Sequence, residues 1–162
     1  MWQKRFNMLL VAVAGLAAII RLRGFGTHFL LSSDTARDIL TAKGAVLLHQ
    51  LPWVGSFSSA GPFVFGPNWY WQLMLPQIVF PNLFYGPWLI MLAISVLFVV
   101  VMGLCGRLLG GKRLGLIAAL LTAISPAAVG LSSYATQHAM VEIFSALTLL
   151  GFLAFLKTKK LV

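Results

Sequence analysis

A chain of 162 residues that is 60% hydrophobic, 9% charged and +0.94 in mean hydropathy cannot build the water-facing surface of a soluble domain, which needs roughly 25% charged residues. Its net charge of +9 sits on Lys and Arg at the ends of apolar runs, where membrane topology places such charge, and no nucleic-acid partner is implied. The single cysteine, Cys105, rules out an internal disulfide framework and a cysteine-based metal site.

The N-terminal MWQKRFNMLLVAVAGLAAII has the charged start and apolar middle of a signal peptide. The following RLRGFGTHF lacks a small-residue cleavage pattern, so the segment is read as a retained first helix. Four runs approach the roughly 20 residues that cross the hydrocarbon: 6–22, 87–105, 114–133 and 139–156. The predicted fold is therefore an all-α integral membrane protein forming one membrane domain.

With four crossings and a cytoplasmic N-terminus, Lys4, Arg5, Arg107, Lys112, Arg113, Lys157, Lys159 and Lys160 fall inside. Arg21, Arg23, Arg37 and Lys43 fall outside, which satisfies the positive-inside bias. Segment 23–85 is then a large external loop, and all three acidic residues, Asp34, Asp38 and Glu142, lie on or near the external face.

Within this loop, SSDTARDILTAKGAVLLHQ reads as a surface helix. Ser33 or Asp34 can cap it, and acidic residues in its first turn suit the helix dipole. Ile39, Leu40, Val46 and Leu47 form one apolar stripe, which predicts a helix lying on the membrane with its other face in water. Arg37 and Asp38 share a face with Asp34. Asp34 reads either as a cap or as a base at the hydrocarbon boundary, and Arg37 either as its ion-pair partner or as a phosphate ligand.

Gly-Pro pairs at 61–62 and 66–67 mark turns, and Pro67 suits the first position of the next helix. Trp53, Trp69, Tyr70 and Trp71 are headgroup-level anchors or a wall for a lipid chain or sugar ring. The twelve-residue run 69–80 is too short to cross and reads as a re-entrant or interfacial helix. Further on, Glu142 sits four residues into an apolar run, where an acid marks function or a buried partner. His138, one turn earlier, shares its face. The pair reads as a cation site, a proton relay or a structural hydrogen bond, and a metal would need further ligands. His28 and His49 read as surface residues.

The order of elements carries a resemblance. A first span is followed by SSDTARDILTAKGAVLLHQLPWVGSFSSAGPFVFGPNWYW and later by GRLLGGKRLGLIAALLTAISP. This resembles the N-terminal portion of membrane-integral GT-C glycosyltransferases, above all the polyprenyl-phosphate-mannose protein mannosyltransferases and the aminoarabinose-transferase-like enzymes. The resemblance implies transfer of a sugar, with inversion, from a polyprenyl-phosphate donor to an acceptor lipid, glycan or protein. Asp34 would be the catalytic residue. Arg37, Asp38, Trp69 and Tyr70 would bind donor and phosphate, while His138 and Glu142 would form a metal or donor site. Cationic side chains or a divalent metal, the one cofactor the resemblance suggests, would hold the departing lipid phosphate. Thr35 stands where many relatives carry Glu, and Phe65–Gly66 stand where aminoarabinose-type relatives carry an acidic metal ligand.

The expected location is a bacterial or archaeal plasma membrane with the active face external. Relatives are longer, so the chain reads either as an amino-terminal part or as a short or degenerate member, and it need not be active alone. The alternatives are a non-catalytic lipid-binding or assembly subunit, and a small proton- or ion-coupled transporter using Glu142 and His138. The sugar, the acceptor and the oligomeric state are not legible in the residues.

Overall fold

A computed structural model describes residues 2–23, 25, 31–58 and 61–158, with side chains from residue 4 onward. The expected surface position of His28 lies outside the described residues. The chain is all-helical: α1 (Trp2–Leu22), α2 (Ser33–Leu47), α3 (Asn68–Val79), α4 (Gly86–Ile124), α5 (Pro126–Leu131), a 3₁₀ turn (Gln137–Ala139) and α6 (Met140–Thr158). Among the described residues, three segments are long and apolar enough to cross a membrane: Lys4–Leu22, Gly86–Ile124 and Gln137–Thr158.

The 39-residue segment is a hairpin of two helical arms. A straight helix of that length would reach about 58 Å, far beyond a hydrocarbon core of about 30 Å. Gly110 and Gly111 leave helical geometry, and Gly111, at φ 82° and ψ −172°, occupies a region open essentially to glycine alone. Arm 86–109 therefore turns back into arm 112–124. The arms meet closely at Gly103 and Gly115, where a Cβ on Gly115 would stand 2.6 Å from the Gly103 carbonyl oxygen. Such small-residue contacts let backbones approach where lipid leaves no hydrophobic drive between helices.

Neighbouring contacts fix the direction of each helix. Arg107 lies over the Phe6 ring at 5.1 Å, and Arg21 Nε donates to Ser95 Oγ at 2.7 Å, so α1 runs antiparallel to the first arm. Glu142 shares a small cavity with Met91 and Ser95, while Cys105 Sγ approaches the Ala146 carbonyl at 3.7 Å, so α6 runs parallel to that arm. The result is four passes, with Lys4, Arg5, Arg107, Lys112, Arg113 and Lys157 near one end of the bundle and Arg21 near the other.

The third pass departs from the expected unbroken run over 114–133. The second arm ends at Ile124, Ser125 is extended, and α5 restarts at Pro126. Proline disfavours helical geometry at the residue before it, and Ser125 Oγ caps the new helix instead.

At the Arg21 end, α2 and α3 pack on each other, and Pro76 of α3 abuts Gly86 at the start of α4. The N-cap of α2 is Ser32, one residue earlier than expected, with its Oγ accepting from Thr35 N–H at 3.1 Å. Asp34 therefore lies inside the first turn rather than at the cap. The helix stops by Leu48, and His49 follows at φ 52°. Similarly, α3 is capped by Pro67 and begins at Asn68.

The expected surroundings of α2 are corrected in part. Thr35, Asp38 and Ala42 pack against the protein, so only part of the predicted water face, with Asp34, Arg37 and Thr41, stays open. Small side chains allow α3 to approach at the packed strip, whereas Leu40, 68% exposed, and Leu47 project away. Ile39 and Val46 are partly buried at the edge.

Candidate functional site

The cluster at the α2–α3 contact grows from Asp38. Its side chain lies one turn beyond Thr35 on the small-residue face, so the fold carries a carboxylate into an apolar contact, where it is 5% exposed. Such burial is costly unless the charge is paired and hydrogen-bonded, and α3 supplies the donors. Trp69 Nε1–H donates to Oδ2 at 3.0 Å, and the Tyr70 hydroxyl donates to Oδ1 at 3.4 Å. Arg37 adds two bonds to Oδ1, from Nε at 3.0 Å and from an Nη at 2.9 Å. Charge-assisted bonds of this kind are about twice as strong as neutral ones.

Arg37 connects this buried carboxylate to an exposed one. Its other Nη donates to Asp34 Oδ1 at 2.9 Å, with the Arg37 side chain 47% exposed and that of Asp34 75% exposed. The hydrogen bond to Asp38 holds the Arg37 guanidinium above its ordinary range, so it stays cationic. Three of its five N–H groups are engaged, leaving donors on its outer edge. The Tyr70 phenol is likewise raised, by burial first and by Asp38 second, and remains a neutral donor.

Asp34, Arg37, Asp38, Trp69 and Tyr70 are thus one connected group. Their roles differ from the expected ones in a specific way. Trp69 and Tyr70 are buried, and both polar hydrogens point at Asp38 rather than at open space. Reading Asp38 merely as a residue sharing a face with Asp34 missed its burial. The spacing of Thr35, Asp38 and Ala42 is the one signal that marked it. Beside the cluster, Trp69 forms part of the wall of a groove of about 340 Å³ between α3 and α6, together with Phe65, Asn68, Gln72 and Phe144. Gln72 Oε1 is buried there without a hydrogen-bond partner.

His138 and Glu142 do not form the expected pair. Glu142 is half-buried and turned toward α4, lining a cavity with Ser95 and Ser132 that has space for about one water. His138 is exposed in the 3₁₀ turn that precedes α6, and no hydrogen bond joins the two among the described residues. The 3₁₀ turn breaks the regular α-helical spacing that would have stacked them. The charged group nearest in effect to Glu142 is instead Arg21, a buried cation whose place at the end of an apolar run suggests topogenic charge alone.

This donor set does not fit a divalent cation. Asp38 is saturated by N–H and O–H donors, Asp34 shares its oxygen with a guanidinium, and His138 stands apart from Glu142. Among the described residues no three of His, Cys, Asp and Glu come together. No family model matches the chain, and no curated protein or solved structure is significantly similar to it.

Proposed function

We propose that the chain belongs to a glycosyltransferase of the GT-C type, acting at the membrane surface on a sugar carried by a polyprenyl phosphate. The observation that supports this reading is the Asp34–Arg37–Asp38 chain: an open carboxylate beside a half-open guanidinium, with the guanidinium anchored from behind by a buried carboxylate. Positive-inside bias assigns the end bearing Lys4, Arg107, Lys112 and Lys157 to the cytoplasm, which leaves the acidic cluster on the external face.

In this reading Arg37 holds the donor phosphate with its outer N–H groups, for which a planar fork is suited. Asp34 accepts the proton of an acceptor hydroxyl or amine as that oxygen or nitrogen attacks the anomeric carbon. The bond from that carbon to the phosphate oxygen breaks, and the polyprenyl phosphate leaves with the electron pair beside Arg37. Attack opposite the leaving group inverts the anomeric configuration. Asp38 positions Arg37 and does not touch substrate.

The exposed Asp34–Arg37 pair does not oppose this role. Pairs this open contribute roughly 0–1 kcal/mol, so a phosphate can displace the carboxylate and free it to act as base. The test is Asp34→Asn in protein reconstituted into liposomes with a polyprenyl-phosphate sugar. Transfer should fall by about 10²-fold or more, since a base of this kind contributes that much. Inserted Asp34→Asn protein active within a few-fold of wild type would defeat the proposal. Lipid binding retained without any transfer by wild type would favour a non-catalytic lipid-binding subunit.

A further inference from the structure

A second feature of the external end lies away from the Asp38 cluster and does not depend on the transferase reading. Arg21, in the last turn of α1, is only 4% exposed. Its Nε donates to Ser95 Oγ, and one Nη donates to the carbonyls of Ala17 and Ala123 at 3.2 and 3.1 Å. The other, Nη2, is buried with no partner. Glu142 acts on Arg21 only through space, so this buried N–H has no acceptor, a costly arrangement that a bound water, ion or ligand would relieve.

Arg21 forms part of the wall of a groove of about 390 Å³ where α1 meets α5 and the turn after it. Arg23, Ser133 and Tyr134 join it, with Phe25 and Val129 as apolar lining. Among the described residues no carboxylate lines this groove. Glu142 faces the separate cavity behind Ser132, so it does not fill the groove's opening. Two arginines and three hydroxyl side chains, Ser132 included, around one concavity are the chemistry of an oxyanion site, and arginine's fork matches phosphate. The apolar lining, at the end of the membrane-crossing helices, favours an anion that brings acyl chains with it.

We propose that this groove binds the phosphate of an anionic phospholipid, with Arg23 meeting the headgroup first and Arg21 Nη2 completing the site after a small side-chain adjustment. Phosphate bound here would clamp the end of α1 to the α4–α5 junction, because Arg21 already reaches the Ala123 carbonyl at the end of α4 and Val129 of α5 lines the same groove. Lipid binding would thereby stiffen the external end of the bundle.

The experiment measures thermal stability and lipid retention, by native mass spectrometry, of purified protein with phosphatidic acid, diacylglycerol or inorganic phosphate. Phosphatidic acid should stabilise and be retained, and diacylglycerol should do neither. Arg23→Gln, a change at an exposed side chain, should weaken phosphatidic acid binding about fivefold, the worth of one interfacial cation. Arg21→Gln should weaken it further, and if that variant fails to fold, Arg23→Gln decides. Equal protection by inorganic phosphate would overturn the lipid assignment. An equal loss in Lys43→Gln, an exposed cation on α2 outside the groove, would overturn the site itself by showing that any surface charge serves.

Discussion

Asp38 accepts from a guanidinium, an indole and a phenol, so replacing either oxygen with an NH₂ sets donor against donor whichever way the amide turns. Asp38→Asn should therefore lose about 2 kcal/mol of stability, in the range for hydrogen bonds to a charged group. Unfolding followed by tryptophan fluorescence would read this, and a change below a few tenths of a kcal/mol would show that the cluster is not a clamp. Asp34→Asn, at a side chain 75% exposed, should leave stability nearly unchanged and so separate scaffold from chemistry. Tyr70 adds a pH signature. Its phenol is raised by burial and by Asp38, so the folded state keeps a proton that the unfolded chain releases. That contribution is complete below the ordinary phenol value of about 10 and is lost as pH climbs through the higher folded value. Wild type should thus lose stability above about pH 10 more steeply than Tyr70→Phe. Parallel pH profiles for the two would remove Tyr70 from the account.

Among the elements, the α4 hairpin is the one whose shape depends on a few backbone positions. Gly111 at φ 82° and ψ −172° admits no ordinary side chain, and Gly111→Ala should cost about 1–3 kcal/mol of strain. Gly115→Val acts differently, since its Cβ would meet the Gly103 carbonyl at 2.6 Å and the Arg107 nitrogen at 3.0 Å. Both contacts are backbone and cannot swing aside, so the arms must separate. The expected loss is about 1–3 kcal/mol, the usual cost of overpacking. Thermal unfolding of both variants in the same detergent checks the pair. Wild-type stability in Gly115→Val would mean that the arms do not touch as described. In α2 the departure from the expected pattern is confined to one strip of small and polar residues that packs on protein. Hydrophobic periodicity locates a helix's large apolar face, but in a membrane protein that face can meet lipid while small residues meet protein. Leu40 and Leu47 drew attention to one side; Thr35, Asp38 and Ala42 made the contact.

Across the whole molecule, what could be read early was what depends on composition and run length: an all-helical membrane chain, a turn between its two middle apolar runs, and a short helix over 69–80 that reappears as Asn68–Val79. What could not be read depends on which distant residues meet. Nothing in RLRGF distinguishes Arg21 from Arg23, yet one is buried against Ser95 and Ala123 while the other is exposed. The pairing of Asp38 with Trp69 likewise spans 31 residues and rests on how α2 meets α3. Sidedness is the molecular-scale property that joins these parts, because both the acidic cluster and the Arg21 groove lie at the end opposite the Lys- and Arg-rich one. If positive-inside bias holds, Asn82, after α3, faces outward and Lys112, beyond the hairpin turn, faces the cytoplasm. In a Cys105→Ala background, which removes the buried native thiol, Asn82→Cys should react with a membrane-impermeant maleimide on intact cells. Lys112→Cys should react only after the membrane is opened. Labelling of both from outside would contradict a crossing by arm 86–109, since those sites flank it. The reverse pattern would keep the fold, turn the molecule over and place Asp34 where an externally presented donor cannot reach it.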